Sequence, residues 1–410
     1  MRDDFLALYL DYNSETEVPQ LFHRWAALSM VGAYLGRQAT FRLGHFEIHP
    51  NLYCMLIGSP GTRKSTAIKL AKSTLSQVGY KDFSAEKTTK EKFLLDLQGE
   101  ETSGHDILEQ NLFGGDDSGT HELYIAADEF NDYIGNGNIE FISLLGSLWD
   151  FKGVYTNRIK NGKSVSISNP TISIFGGNTP TGFSLAFPAD IIGQGFFSRL
   201  LLVYGEPTGK KITFPKKPPE AKTKELLEAL IRIKGAVVGD ITMDSQAEEL
   251  LDYIYNRWEN IDDVRFESYS NRRFTHLLKL CMLCAAFRYS TLITASDVIY
   301  ANTILTHTEH LMPLALGEFG KAKDSGVSHK LLQILEGASA PMTALDIWPQ
   351  LQPDLGDFTR LTDMLGNLKR ADKIQFAGGG FLRKKHAPKT HDSAVVDFSL
   401  LTSEERKQHG

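Results

Sequence analysis

The chain reads as a mixed α/β protein: a three-layer core with helices on both faces of a parallel sheet, followed by a helical region and a small C-terminal module. Three observations predict this. Short apolar runs recur between helical segments, the pattern of strands buried on both faces. A glycine-rich turn, GSPGTRKS, joins the first of these runs to a helix. At Glu206 the composition shifts abruptly to proline and lysine, which marks the end of the core.

Residues 1–48 predict two or three helices, with Phe22, Trp25, Ala26, Leu28 and Met30 as apolar faces. The core is expected over 49–205. Its strands are NLYCMLIG (Asn51 to Gly58), LYIAADEF (Leu123 to Phe130), TISIFGGN (Thr171 to Asn178) and RLLLVYG (Arg199 to Gly205). Lys64 to Val78 predicts a helix, because Ala67, Leu70, Ala71, Leu75 and Val78 share one face and Gly79 stops it. Residues 206–222 are expected to be a linker, since EPTGKKITFPKKPPEAKTK holds four prolines and six lysines. Residues 223–320 read as an all-α lid, in which Thr294 and Asp297 have capping-box spacing. Residues 325–386 offer three short helices and then IQFAGGGFLRKK, a glycine-turned hairpin, which together suggest a winged-helix module. Residues 387–410 are polar and expected to be a loose tail.

Bulk properties narrow the function. At 410 residues and 42% hydrophobic content the chain can bury a large core. A formal charge of −6 gives no general electrostatic attraction to nucleic acid, so any basic surface must be local. The first residues, with acids inside their apolar stretch, do not resemble a secretory leader, and no run of eighteen apolar residues predicts a membrane span. A cytoplasmic location is expected, with no membrane partner. Three cysteines make no disulfide framework; Cys281 and Cys284 lie in the apolar helix LLKLCMLCAAF and read as packing. His45, His49 and His276 are scattered and read as structural.

The chemistry lies in four places. GSPGTRKS fits the phosphate-binding G-x-x-x-x-G-K-[ST] pattern except at Arg63, where glycine is usual. Gly58, Ser59, Pro60, Gly61, Thr62, Arg63, Lys64, Ser65 and Thr66 would wrap the phosphates of ATP, with Lys64 on the β and γ oxygens and Ser65 ligating Mg2+. A plain glycine turn before a helix is the alternative. Asp128 and Glu129 close a second apolar strand, Asp128 suited to the magnesium hydration shell and Glu129 to polarising the attacking water. Asn178 ends the third strand, where its amide would orient that water, or simply begin a turn at Thr179-Pro180. Arg199 precedes the fourth strand, either as a surface residue or as a cation offered to a neighbouring copy's site.

Taken in order, this set resembles the AAA+ ATPases and, within them, replicative helicases of the minichromosome-maintenance type. That family's loop has a G-[DS]-P-G-T-x-K-S form that GSPGTRKS matches, non-glycine sixth residue included. The likeness runs over about residues 45–310, through Asp128-Glu129, Asn178 and Ser198-Arg199, and does not extend to the amino-terminal collar and zinc ribbon of cellular members. SNRRFTHLLKLCMLCAAF resembles the family's sensor-2 helix, making Arg273 the phosphate-sensing candidate with Arg272 beside it. PNLY followed by G-x-P-G-x-R-K-S is similar to compact helicases coded by phages, plasmids and integrated elements, some joined to primases. The resemblance implies a ring-forming homo-oligomer, a hexamer, that hydrolyses MgATP between subunits and moves on DNA. A nucleotide-switched loading, assembly or defence ATPase that unwinds nothing is the alternative.

Between Asp128 and Asn178 lies VYTNRIKNGKSVSIS, in which Asn161-Gly162 is a strong hairpin signal. Its expected arms are Val154 to Lys160 and Lys163 to Ile167. Lys160 and Lys163 would stand at the tip with Arg158 behind, as in a pre-sensor-1 hairpin gripping single-stranded DNA in a central pore, or as lysines that merely discourage edge pairing. Lys369, Arg370, Arg383, Lys384 and Lys385 of the C-terminal module offer a duplex-DNA or protein contact.

Overall fold

A computed structural model describes residues 4–99, 121–158, 164–187, 195–317, 323–338, 340–370, 373–383 and 392–407. They form two compact units, Met1–Gly317 with Ser393–Gly410, and Glu318–Asp392. The first contains α1 (Phe5–Tyr12), α2 (Gln20–Leu35), β1 (Ala39–Leu43), β2 (Phe46–Ile48), β3 (Tyr53–Ile57), α3 (Lys64–Gln77), α4 (Lys90–Gln98), β4 (Glu122–Ala127), α5 (Phe130–Ile134) and α6 (Ile139–Leu148). It continues with β5 (Val154–Asn157), β6 (Val165–Ser168), β7 (Thr171–Asn178), α7 (Pro180–Ala186), β8 (Leu200–Tyr204), α8 (Glu220–Ala236), β9 (Gly239–Met243), α9 (Ser245–Tyr255) and α10 (Glu267–Ser270). Then come α11 (Arg273–Phe287), β10 (Leu292–Ile293) and α12 (Ala295–Leu316).

The chain is mixed α/β around a parallel four-stranded sheet of order β4-β7-β3-β8. Every residue of β3 and β7 is buried, which is why these strands read as unbroken apolar runs. Two adjacent glycines show that helices cover both faces. A Cβ on Gly177 would come within 3.2 Å of Ile68 on α3, whereas one on Gly176 would come within 3.1 Å of Phe130 on α5. Successive side chains of a strand point to opposite faces, so α3 and α5 flank the sheet from either side.

The helical expectation for residues 1–48 holds for α1 and α2 but fails from Ala39 onward. β1 pairs antiparallel with β2 and parallel with β9, in a second sheet of order β10-β9-β1-β2. The 223–320 segment is therefore not all-helical, because it supplies β9 and β10 to that sheet. The expected linker is irregular from Gly205 to Pro219, but α8 begins at Glu220, where Pro219 leads into the first turn. At Thr294 the predicted cap forms: Asp297 Oδ2 accepts from the Thr294 amide at 2.9 Å and from its hydroxyl at 2.8 Å.

The expected loose tail is instead anchored over 393–407. The Glu405 carboxylate, on α16 (Ser403–Arg406), accepts from Arg24 Nε at 3.0 Å and Nη2 at 2.7 Å, with both side chains buried. Asn302 Nδ2 donates to Val395 O at 2.9 Å, and the Asp397 amide to Thr303 Oγ1 at 3.0 Å. One buried bidentate pair outweighs the polar composition that suggested a free end.

The second unit holds α13 (Lys323–Gly337), α14 (Ala344–Leu355), α15 (Phe358–Arg370), β11 (Ile374–Ala377) and β12 (Gly380–Arg383). Leu331, Leu335, Ile347, Leu351, Leu361 and Leu365 form its core. Gly378 and Gly379, at φ 59° and 80°, make the hairpin turn that a left-handed backbone requires. No described helix in either unit is long and apolar enough to cross a membrane.

Two stability predictions follow from the buried polar groups. Glu405→Ala leaves the Arg24 guanidinium buried without its carboxylate, and is expected to cost about 3–5 kcal/mol. Urea unfolding checks this, and an unchanged midpoint contradicts it. Burial holds His23, His49 and His276 down at about 3, against about 6.5 when unfolded. Burial alone would raise the Glu405 carboxyl, but Arg24 brings it to about 2. All four are depressed in the fold, so their stabilisation is complete above the unfolded pKa values and drains as pH falls through the folded ones. The histidine contribution should decline from about pH 6.5 at up to about 1.4 kcal/mol per pH unit for each residue, joined below about pH 4.5 by Glu405. Stability measured at a series of pH values should show that slope; a flat profile from pH 6.5 to 4.5 contradicts it.

Candidate active site

The parallel register sets the site. Ile57 lies opposite Asn178, and Ala127 opposite Gly176, so the C-terminal ends of β4, β7 and β3 stand side by side. The segments leaving those ends are Asp128-Glu129, Asn178-Thr179 and the glycine-rich loop. Together they enclose a cavity of about 420 Å³ whose walls include Lys64, Ser65, Asp128, Glu129, Asn178 and Gly182. The loop, the acid pair and the asparagine are thus brought together in space.

The loop braces itself before it meets any ligand. Thr62 is fully buried and its hydroxyl donates to Ser59 O at 2.5 Å. A Cβ on Gly58 would come within 2.5 Å of Gly205 O, so only glycine fits there. Lys64 is half-buried and its Nζ donates to Gly58 O at 2.7 Å and Ser59 O at 3.0 Å. Burial pulls the Lys64 pKa down, opposed by the negative charge of Glu129. The first bond of α3 runs from the Ala67 amide to Arg63 O, which leaves the amides of Lys64, Ser65 and Thr66 without intrahelical acceptors at the cavity wall. Anions are favoured at such a helix start.

Arg63 has φ 64°, the left-handed region in which glycine is unstrained. Its side chain turns toward Glu17, with Nε donating to Oε2 at 2.8 Å and Nη2 to the same oxygen. Glu17 Oε1 accepts from the Ile212 amide at 2.8 Å. That amide first, and Arg63 second, hold the Glu17 carboxyl below its ordinary range. The arginine therefore reaches outward, to its own chain.

Asp128 pairs with Lys69 at 2.8 Å, where Lys69 is 72% exposed, so the pair is weak and open to exchange. Glu129 is exposed at the cavity rim. Asn178 is 4% exposed, and its Nδ2 has no hydrogen-bond partner. A buried donor left unpaired costs about 1–3 kcal/mol, a cost a ligand acceptor in the cavity would remove. Beside this site lies a second cavity of about 460 Å³ that shares Asn131 and holds the ion pair of Lys90 with Glu140. It contains none of the loop.

Arg199 is not in the cavity. It precedes β8, whose Leu200 lies opposite Tyr53 at the start of β3, while the loop leaves from Ile57. About 13 Å of strand separates the two ends. Arg199 is half-buried, its Nη1 donates to Gly195 O, and its guanidinium lies 5.6 Å from the Trp149 ring. Burial first, and Arg272 second, lower its pKa.

Arg273 does not serve as an exposed sensor in this structure. It is buried, with Nε donating to Glu309 at 2.9 Å and Nη2 to Asn302 at 2.9 Å. Arg272 faces the other way, its Nε donating to Ser198 Oγ at 2.8 Å and its guanidinium 5.7 Å from the same Trp149. Lys69, paired with Asp128, and Glu17, paired with Arg63, are site neighbours outside the motifs, and Trp149 packs beside Arg199 and Arg272 at the other end of the sheet; none belongs to a recognisable pattern.

The arms of the expected hairpin pair antiparallel as β5 and β6, from Val154 opposite Ser168 to Asn157 opposite Val165, and the Asn161-Gly162 turn lies outside the described residues. Arg158 is exposed at the end of β5; Lys160 and Lys163 lie outside the described residues. Cys281 and Cys284 are buried free thiols, as their apolar setting predicts. Among the described residues, no cluster of three or more His, Cys, Asp or Glu side chains could hold a metal. No protein-family model matches the chain, and no curated protein matches it.

The strained loop generates a prediction. Arg63→Gly removes a left-handed cost of about 1–2 kcal/mol and an exposed ion pair of at most about 1 kcal/mol. The variant should melt at the same temperature as the parent or slightly above it. A drop of several degrees in thermal denaturation would mean the Glu17 link outweighs the backbone strain.

Proposed function

We propose that this chain is an AAA+ P-loop ATPase that works as a ring-forming DNA helicase or translocase, with a winged-helix module formed by its second unit. The observation that carries the reading is the unpaired, buried Asn178 amide in a cavity walled on one side by the loop and on the other by an acid pair. A plain glycine turn has no need of either neighbour.

In this reading the amides at the start of α3 and the Lys64 ammonium take the phosphates of ATP. Lys64 moves from Gly58 O and Ser59 O to do so. Glu129 accepts a proton from water as that water attacks, and Asn178 donates to hold it in line. Mg2+, when bound, offsets phosphate charge; Ser65 and Asp128 suit it because most of its remaining ligands are water and phosphate oxygens. Asp128 exchanges Lys69 for that shell. Arg199, at the far end of its own sheet, suits a site completed by a neighbouring copy, and Arg272, not Arg273, is the second cation placed beside it. Arg158, Lys160 and Lys163 are the proposed contacts with single-stranded DNA in the pore, and primases or other replication proteins are proposed partners.

The test is ATP turnover in purified protein with single-stranded DNA. Lys64→Ala and Glu129→Gln should abolish hydrolysis. Arg199→Ala should lower it about 10³-fold or more, and mixing with a Lys64→Ala chain should restore part of the loss by pairing an intact loop with an intact arginine. Turnover unaffected by Lys64→Ala sinks the ATPase reading. Slow turnover without strand displacement favours the loading or assembly ATPase instead.

A further inference from the structure

The proline- and lysine-rich stretch after β8 has no part in the cavity just described, yet its chemistry is specific. From Pro207 to Pro219 the sequence PTGKKITFPKKPP contains four lysines and no acid, in a chain whose net charge is −6. It carries no helix or strand. Phe214 stands at a bend in its middle and is 84% exposed. Two lysine pairs flank that ring, Lys210-Lys211 on one side and Lys216-Lys217 on the other, all four exposed. Lys210 lies 4.0 Å from Glu404; among the described residues no ion pair engages Lys211, Lys216 or Lys217. Covering a ring this exposed removes apolar area from water, which favours a partner with a flat apolar face, and the prolines reduce the entropy lost when such a segment is ordered.

We infer that this segment is a docking strip for single-stranded nucleic acid, with Phe214 stacking on a base and the flanking lysines meeting the phosphates on either side. Cations that follow the backbone and a solvent-facing ring are the two elements of sequence-tolerant single-strand binding. The strip is separate from the β5–β6 hairpin. It also has a direct line to the cavity: the Ile212 amide, two residues before Phe214, is held by Glu17, whose other oxygen is held by Arg63 at the cavity wall. The binding role stands on the strip alone, whereas its coupling to nucleotide rests on the ATPase reading.

The experiment is fluorescence anisotropy of a labelled twenty-nucleotide oligo(dT) with the full chain, without nucleotide, in an Arg158→Ala/Lys160→Ala/Lys163→Ala background that removes the hairpin contribution. Phe214→Ala should weaken binding roughly 5- to 150-fold, the range of one base–aromatic stack. Lys211→Ala/Lys216→Ala/Lys217→Ala should reduce the slope of log affinity against log salt by about 2, from three phosphate contacts on a single strand. Both substitutions are at exposed positions, and an unchanged thermal melt shows that the fold is intact. Parental affinity and slope in both variants overturn the assignment, as does loss of binding to anionic vesicles with oligo(dT) binding unaltered. A Lys64→Ala chain that keeps the Phe214 dependence upholds the strip even if the ATPase reading fails. Glu17→Gln should leave nucleotide-free binding in place and abolish any change in oligo(dT) affinity on adding ATP; a retained ATP effect removes the coupling.

Discussion

The structure depends on one constraint, the shared register of three neighbouring parallel strands. Because β7 lies between β4 and β3 with Asn178 opposite Ile57, two carboxylates, one amide and a glycine-rich loop emerge at the same edge of the sheet. That edge tolerates no bulk at its centre. A Cβ on Gly177 would come within 2.6 Å of Asp128 O and within 3.5 Å of Lys64 Cβ, so the missing side chain lets the acid strand and the loop helix close over the same point. A one-residue slip would turn Asn178 away and push a side chain into that gap.

The loop spends stability to hold its shape. Arg63 occupies a backbone conformation suited to glycine, Lys64 folds back on the loop's own carbonyls, and Asn178 keeps a buried donor unpaired. Costs of this kind concentrate where a ligand is to be received. At the opposite end of the sheet the chain gathers a second cationic group, Arg199 and Arg272 at 5.6 and 5.7 Å from the Trp149 ring, with Lys279 4.6 Å from the same ring and bonded to Asp150 at 2.6 Å. Under the proposed function the two ends meet only across a junction between copies, which makes assembly a condition of chemistry.

Much of the core was legible because strands buried on both faces leave unbroken apolar runs, and because the loop, acid pair and asparagine each sit at the end of such a run. The second sheet was not. ATFRL has one face toward water, and its parallel partner β9 is 200 residues away, so no local pattern announces the pairing. The tail misled for a related reason, since the Glu405 carboxylate, two hydrogen bonds to α12 and the buried Val395, Val396 and Leu401 fix a segment whose polar composition says otherwise. Neighbouring arginines posed a question that local sequence does not answer. Arg273, the first residue of α11, enters the core to meet Glu309, whereas Arg272, just before the helix, is half-buried against Ser198 and Trp149, and only tertiary packing assigns the two roles.

The most direct measurement is a structure of the chain with a non-hydrolysable ATP analogue and Mg2+. The triphosphate is expected against the amides of Gly61 to Thr66, with Lys64 released from Gly58 O, Asp128 released from Lys69, and Asn178 Nδ2 within hydrogen-bond distance of the terminal phosphate or the water beside it. A nucleotide bound elsewhere, or a loop still closed on its own lysine with Asn178 unpaired at saturating analogue, would contradict the assignment of this cavity.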